Sequence, residues 1–304
     1  MTDAPAFVSV LVCTRNRPDD LARVVGSLLA DASDEVELIV VDQSVDDASE
    51  RLLQARSDPR VRYVRSATVG KGAAMNEGMR LARAPYVVCT DDDCEAPPGW
   101  VHGMARLLSE RPRVAVAFCR VVAPTHDARL GYVPEYVPKR PRGLRRPLAT
   151  SRHRGLGAGM VIRRDMALAI GGIDASFGPG ARFPSGDDWD FELRALMLGW
   201  CAFETDELSI VHHGFRTYVQ GRAHAQRDWL ALGAAAAKPV RAGRVWLVLI
   251  ALYVLAVDGV LPILGDLVRL RRPTGARRVL AFCRGYQMGL LTPVDRATMC
   301  YRPG

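Results

Sequence analysis

Phe7–Cys13, Val36–Val41 and Tyr86–Thr90 are short apolar runs that break off at polar residues, with helix-periodic stretches between them. Near-continuous apolar runs rich in β-branched residues mark strands covered on both faces. Pro18 suits a first helical position, and Leu21, Val24, Val25, Leu28 and Leu29 follow as one apolar stripe. A polar helix, a short strand over Val61–Val64 and a helix over Gly72–Arg83 are expected before the Tyr86 strand. This alternation predicts an α/β fold, with a mostly parallel central sheet and flanking helices.

In such sheets ligands collect beyond the carboxyl ends of the strands. Thr14, Asp42 and the run Asp91-Asp92-Asp93 stand at three of those ends. Carboxylates this crowded repel one another unless a positive group sits among them. A hard divalent cation that also takes phosphate oxygens answers that need. No G-x-G-x-x-G follows the first strand and no G-x-x-x-x-G-K-[ST] occurs, which counts against dinucleotide dehydrogenases and P-loop ATPases. Val69-Gly70-Lys71-Gly72 reads as a loop.

The chain has 304 residues, enough for one large core with an appendage. Its net charge of +8 is concentrated in Lys139–Arg154 and again after Arg241. With no zinc-finger spacing or RNP-like aromatic motif, nucleic acid is not expected. Anionic lipid or a phosphorylated substrate suits the uneven charge better. The seven cysteines are scattered with no CxxC pair, the usage of a reducing compartment. Met1–Pro5 carries no signal pattern, so a cytoplasmic protein is expected.

Val10–Pro18, Val41–Ser44, Asn76-x-Gly78, Thr90–Asp93, Gly171–Asp174, Ser185–Phe191 and Val211–Arg216, in that order, resemble the GT-A glycosyltransferases of family 2. The resemblance implies an inverting transferase using a nucleotide diphosphate sugar, here a UDP-sugar, with Mn²⁺ or Mg²⁺ as cofactor. It implies donor contacts from Thr14, Arg15, Arg17, Asp42, Asn76, Asp91 and Asp92, with Asp42 facing the base and Asp91 the ribose. Asp93 and His212 match metal-binding positions, and Asp188 matches the general base. The family often writes Ala-Arg-Asn-x-Gly where this chain has Met75 in place of the arginine, so Lys71 is expected to supply that contact.

Transfer from such a donor needs charge neutralisation on the leaving diphosphate, a base within reach of the acceptor hydroxyl, and alignment. Asp187 is the rival for the base, and Asp187-Asp188 also suits the N-terminus of a helix running through Leu196. Asp187 and Trp189 are expected on the acceptor side, where the indole, like that of Trp100, either offers a flat face to a sugar or packs in the core. Gly178–Pro184 reads as a mobile loop suited to closing over substrate, and the basic, proline-rich Pro134–Arg154 as a loop insert. Two other readings are a sugar-1-phosphate nucleotidyltransferase, disfavoured because Phe7–Pro18 has no glycine, and a catalytically silent membrane-associated scaffold.

Residues 1–235 are expected to form the GT-A domain, 1–120 holding the nucleotide sugar and 121–235 the acceptor and base; 236–304 would be a helical extension. Val245–Val257 is unbroken apolar sequence stopped by Asp258, short of the run of about 20 that a spanning helix wants. With arginines at both ends, contact with the inner face of the cell membrane is expected rather than spanning. The expected acceptor is a carbohydrate, a lipid-linked compound or a small molecule.

Overall fold

The structure, a computed structural model, describes residues 8–30, 33, 35–273 and 275–302. Phe7, the start of the first apolar run, and Met1–Pro5 lie outside them. In chain order the N-terminal half gives β1 (Val8–Thr14), α1 (Pro18–Ala30), β2 (Val36–Asp42), α2 (Ala48–Arg56), β3 (Val61–Arg65), α3 (Lys71–Leu81), β4 (Tyr86–Asp91), β5 (Cys94–Glu95) and α4 (Trp100–Ser109). Then come β6 (Val114–Val122), β7 (Gly131–Tyr132), β8 (Arg142–Leu144), β9 (Met160–Arg163), α5 (Arg164–Ala169), α6 (Asp187–Met197), β10 (Cys201–His212) and β11 (Arg216–Thr217). The chain closes with α7 (Tyr218–Arg241), α8 (Val248–Tyr253), α9 (Leu261–Val268) and α10 (Ala276–Leu291).

The main sheet runs β3-β2-β1-β4-β9-β6-β10-β5, with β8 also on β10. The β3-β2-β1-β4 portion is parallel, as the alternation predicts, and β9 enters antiparallel between β4 and β6. In this register Thr14 pairs with Asp42, and Cys13 with Asp91, so three strand ends finish at one rim. Every residue of β2 is buried, consistent with a strand covered on both faces.

Three sequence expectations change. Gly70 (φ 94°) stands just before α3, which begins at Lys71, so Val69–Gly72 is a helix entry that aims Lys71 at the rim. The basic insert is stitched into the fold: β8 pairs antiparallel with β10, Leu144 is buried, and Trp189 donates to the Thr150 carbonyl at 3.0 Å. Gly178–Pro184 is pinned, because Phe177 and Phe183 are buried and pack on each other and on Tyr301.

The 235/236 boundary falls inside α7. Lys238 of that helix is fully buried between Asp174 (2.7 Å) and Asp190 (2.5 Å), and Asp190 also holds Arg194 at 2.8 Å. At Gly285 a Cβ would lie 1.8 Å from the Leu230 carbonyl oxygen, so α7 and α10 touch backbone to backbone. Residues 245–268 form one helix long and apolar enough to cross a membrane by length and composition, with mean hydropathy 2.5. It continues through Asp258 by a π-helical turn over Val254–Val260, which accommodates the carboxylate that interrupts the apolar run.

Candidate active site

The acidic run ends β4 and bends back through β5, where Cys94 pairs with His212 and the His213 N–H donates to the Asp93 carbonyl at 2.8 Å. That antiparallel pairing sets His212 Nε2 3.3 Å from Asp93 Oδ1. Asp91, Asp93 and His212 each offer a ligand atom, all within 4.8 Å of one another. The other ring nitrogen, Nδ1, lies 3.2 Å from the Pro134 carbonyl, which orients it as the N–H donor and turns Nε2 inward. Two carboxylates and an oriented imidazole form a donor set that fits Mn²⁺ or Mg²⁺. Burial opposes charging His212, but the hydrogen bond and charge of Asp93 outweigh it and hold the imidazole above its usual range. At Gly214 a Cβ would come 2.6 Å from His212 Nε2, so the chain passes this cluster at a distance only glycine permits.

Asp92 turns the other way. It accepts from Thr14 Oγ1 at 2.8 Å and Arg17 Nη1 at 3.1 Å, while Arg17 also reaches Asp93 at 3.2 Å. Burial pushes the Asp92 carboxyl up to about 6 against the pull of Arg17. Lys71 pairs with Asp91. Although burial works against it, the charges of Asp91 and Asp187 keep this ammonium protonated well above its usual range. Thr14, Arg15, Arg17, Lys71 and the acidic run, with Pro179 and Gly180, line a cavity of about 350 Å³.

Asp188 occupies the first turn of α6 after Gly186 (φ 73°). Its Oδ2 accepts from the Gly157 N–H at 2.8 Å and its Oδ1 from the Trp189 N–H at 2.7 Å. Burial, then the Asp187 charge, raises its carboxyl to about 7, within reach of a general base working near neutrality. The point where a Gly157 side chain would begin is 3.4 Å from Asp188 Oδ2 and 3.8 Å from Lys71 Nζ. Asp188 therefore adjoins the lysine that binds Asp91, and the base candidate and the acidic cluster share one neighbourhood. A second cavity, about 580 Å³, opens on Asp188, and Arg216 lines both cavities.

Several expected contacts lie elsewhere. Asp42 is fully buried and absent from both cavity walls; its oxygens accept from the Ser44 N–H (2.8 Å) and the Tyr63 hydroxyl (3.0 Å). Asn76 clamps the Ile173 main chain with two hydrogen bonds instead of reaching a cavity. Asp187 is buried beneath Gly178 and lines neither cavity. Trp189 walls the larger cavity but is 2% exposed, and Trp100 is buried with its N–H on Cys119 Sγ, so neither presents an open ring face. The sequence marks Gly155–Val161 as a run of small residues where backbone can come close and Gly214 as part of the Val211–Arg216 motif, but which side chains Gly157 and Gly214 approach, Asp188 and His212, depends on segments distant along the chain.

A family model described as Glycosyl transferase family 2 matches residues 9–171. The succinoglycan biosynthesis protein ExoO of Rhizobium meliloti is 35% identical over 92 residues, covering 30% of this chain and 26% of that protein. An uncharacterized glycosyltransferase of Haemophilus influenzae is 23% identical over 219 residues, covering 67% of this chain and 71% of that one. Among solved structures, the mannosyltransferase PcManGT of Pyrobaculum calidifontis, in complex with GDP-Man and Mn²⁺, superposes with a TM-score of 0.63 at 18% identity, over 95% of this chain and 88% of that one.

Proposed function

Since the chain belongs to glycosyl transferase family 2 and has the GT-A fold, we propose that it moves a sugar from a nucleotide diphosphate donor, a UDP-sugar, to an acceptor hydroxyl with inversion. The observation that carries this reading is the adjacency of two differently built compartments, one walled by the acidic run and cations, the other by Asp188.

In this reading the donor lies in the smaller cavity, with Thr14, Arg15, Arg17 and Lys71 along its nucleotide and diphosphate. Asp91, Asp93 and His212 would hold the divalent cation, which supplies charge neutralisation on the departing diphosphate. Asp188, positioned by the Gly157 N–H, takes the acceptor's hydroxyl proton. As that oxygen bonds to the anomeric carbon, the bond to the diphosphate breaks and the diphosphate leaves with the electron pair. Attack from the face opposite the leaving group inverts the centre. Arg216, on both walls, draws donor and acceptor into line. The C-terminal apolar helix would bring this cytoplasmic enzyme to the inner face of the membrane.

The test is a thermal-shift panel of UDP- and GDP-sugars with and without Mn²⁺, followed by donor consumption. A metal-dependent shift lost in Asp93→Ala, together with turnover lost but donor binding kept in Asp188→Asn, is the expected outcome. Turnover that survives Asp188→Asn refutes the assignment of the base.

A further inference from the structure

The cavity that opens on Asp188 has the apolar helix as part of its wall. Val257, Asp258 and Pro262 line it alongside Arg154, Trp229 and Leu232. Polar contacts tie this wall to the catalytic half: Arg154 pairs with Asp258, and Arg152 donates to the Tyr253 hydroxyl at 3.0 Å. The helix has one covered face and one open face. Leu247, Ile250, Ala251 and Val254 pack inward, whereas Trp246, Leu249, Leu252, Leu261, Leu264 and Leu267 are exposed, and no residue of α9 is buried. An apolar surface of this kind marks an interaction site.

Charge identifies what covers it. Residues 241–284 carry eight arginines against two aspartates, and one of those, Asp258, is already paired with Arg154. Arg269, Arg271, Arg272 and Arg277 are exposed around the far end of the helix. Apolar side chains ringed by guanidinium groups match an anionic lipid surface, where acyl chains take the first and headgroups the second. A protein partner would have to supply both a matching apolar groove and an acidic rim.

We propose that Val245–Leu270 seats on an anionic bilayer and that the acceptor is a lipid-anchored hydroxyl compound drawn from that bilayer. Its head reaches Asp188 past Val257 and Pro262 while its apolar anchor stays in the lipid. This rests on the transferase reading above. It deepens that reading by naming the acceptor class and the route by which the acceptor enters.

Two measurements on the full chain test it. In the first, the protein is sedimented with vesicles of phosphatidylcholine alone, or of phosphatidylcholine with about one-third phosphatidylglycerol. Binding is expected on the anionic vesicles and weakened by salt. Arg271→Ala/Arg272→Ala should partition about thirtyfold more weakly. Leu261→Gln/Leu264→Gln/Leu267→Gln, which touches no buried residue of α9, should lose binding with its melting temperature kept. Equal recovery in the supernatant with every vesicle overturns the surface. So does a dimer in light scattering that the triple variant dissolves, because the face would then be a contact between copies.

In the second, labelled donor is incubated with a bacterial lipid extract or with its water-soluble counterpart. Label is expected in the organic phase, lost in Asp188→Asn and reduced in the triple variant on vesicle-borne lipid. Label confined to aqueous products, or absent from the organic phase while donor is consumed, overturns the acceptor class. Failure to consume any nucleotide sugar counts against the transferase reading instead, and leaves the vesicle measurement to decide the surface.

Discussion

Gly214→Ala isolates the metal cluster from every other feature of the site, because glycine contributes no ligand and no charge. The new Cβ would stand 2.6 Å from His212 Nε2, 2.7 Å from its Cε1 and 3.1 Å from Asp93 Oδ2. The closest of these falls roughly 0.8 Å short of ordinary carbon contact. The imidazole has little room to retreat, since it is 6% exposed and Nδ1 is tied to Pro134. Metal–ligand distances tolerate only about 0.2 Å, so the variant should lose His212 as a ligand or hold it badly. The expected loss is about 10- to 100-fold in Mn²⁺ affinity, the scale seen when a ligand's support is disturbed. That corresponds to about 1.4–2.7 kcal/mol. Calorimetric titration of Mn²⁺ in the presence of UDP or GDP measures it. Gly143→Ala, where nothing lies within 4 Å of the added carbon, is the control. A folded Gly214→Ala protein that binds Mn²⁺ within about twofold of the parent refutes the placement of His212 in the metal site.

The base assignment gives a pH profile. Asp188 must be ionised to accept a proton, so kcat/KM should rise through about 7 and stand near one-tenth of its plateau one unit lower. Asp187→Asn removes the neighbouring charge and should move the break downward, whereas Asp188→Asn should cost about 10²–10⁴ in rate with donor binding kept. Lys71 lowers the Asp188 carboxyl, so Lys71→Gln should move the same break upward and raise KM for the donor. Lys238→Met leaves Asp174 and Asp190 buried without their shared cation and should destabilise the fold by about 3–5 kcal/mol in urea unfolding. Burial works against the Asp174 charge, but Lys238 and its hydrogen bonds hold this carboxyl below its usual range. Its stabilising contribution is complete above the unfolded value, 3.8, and is lost as pH falls through the lower folded value.

The N-terminal sheet was legible because its information is local. Val36–Asp42 is apolar throughout and buried throughout, and Thr14 and Asp91 stop their strands where the chain turns polar. The antiparallel entry of β9 between β4 and β6 was not legible, since Met160–Arg163 reads the same in either direction. The site divides along the same line. Asp93, His212 and Asp188 carry recognisable residue types at strand or helix ends, so the sequence marks them as candidates. What Asp42 and Asn76 actually bind depends on Tyr63 and Ile173, brought in by tertiary packing. Charge composition also misdirected the reading of Pro134–Arg154: its arginines mark it as solvated, yet Leu144, Thr150 and Ser151 are buried against β10 and α6.

The aromatic stack of Phe177, Phe183 and Tyr301 has a practical consequence for anyone handling this enzyme. Tyr301 also donates its backbone N–H to Asp174 and its hydroxyl to the Ala234 carbonyl, both at 2.7 Å. Through Phe177 it steadies the loop whose Pro179 and Gly180 line the smaller cavity. An affinity tag or fusion partner joined near Tyr301 would therefore pull on the wall of that cavity from more than a hundred positions away.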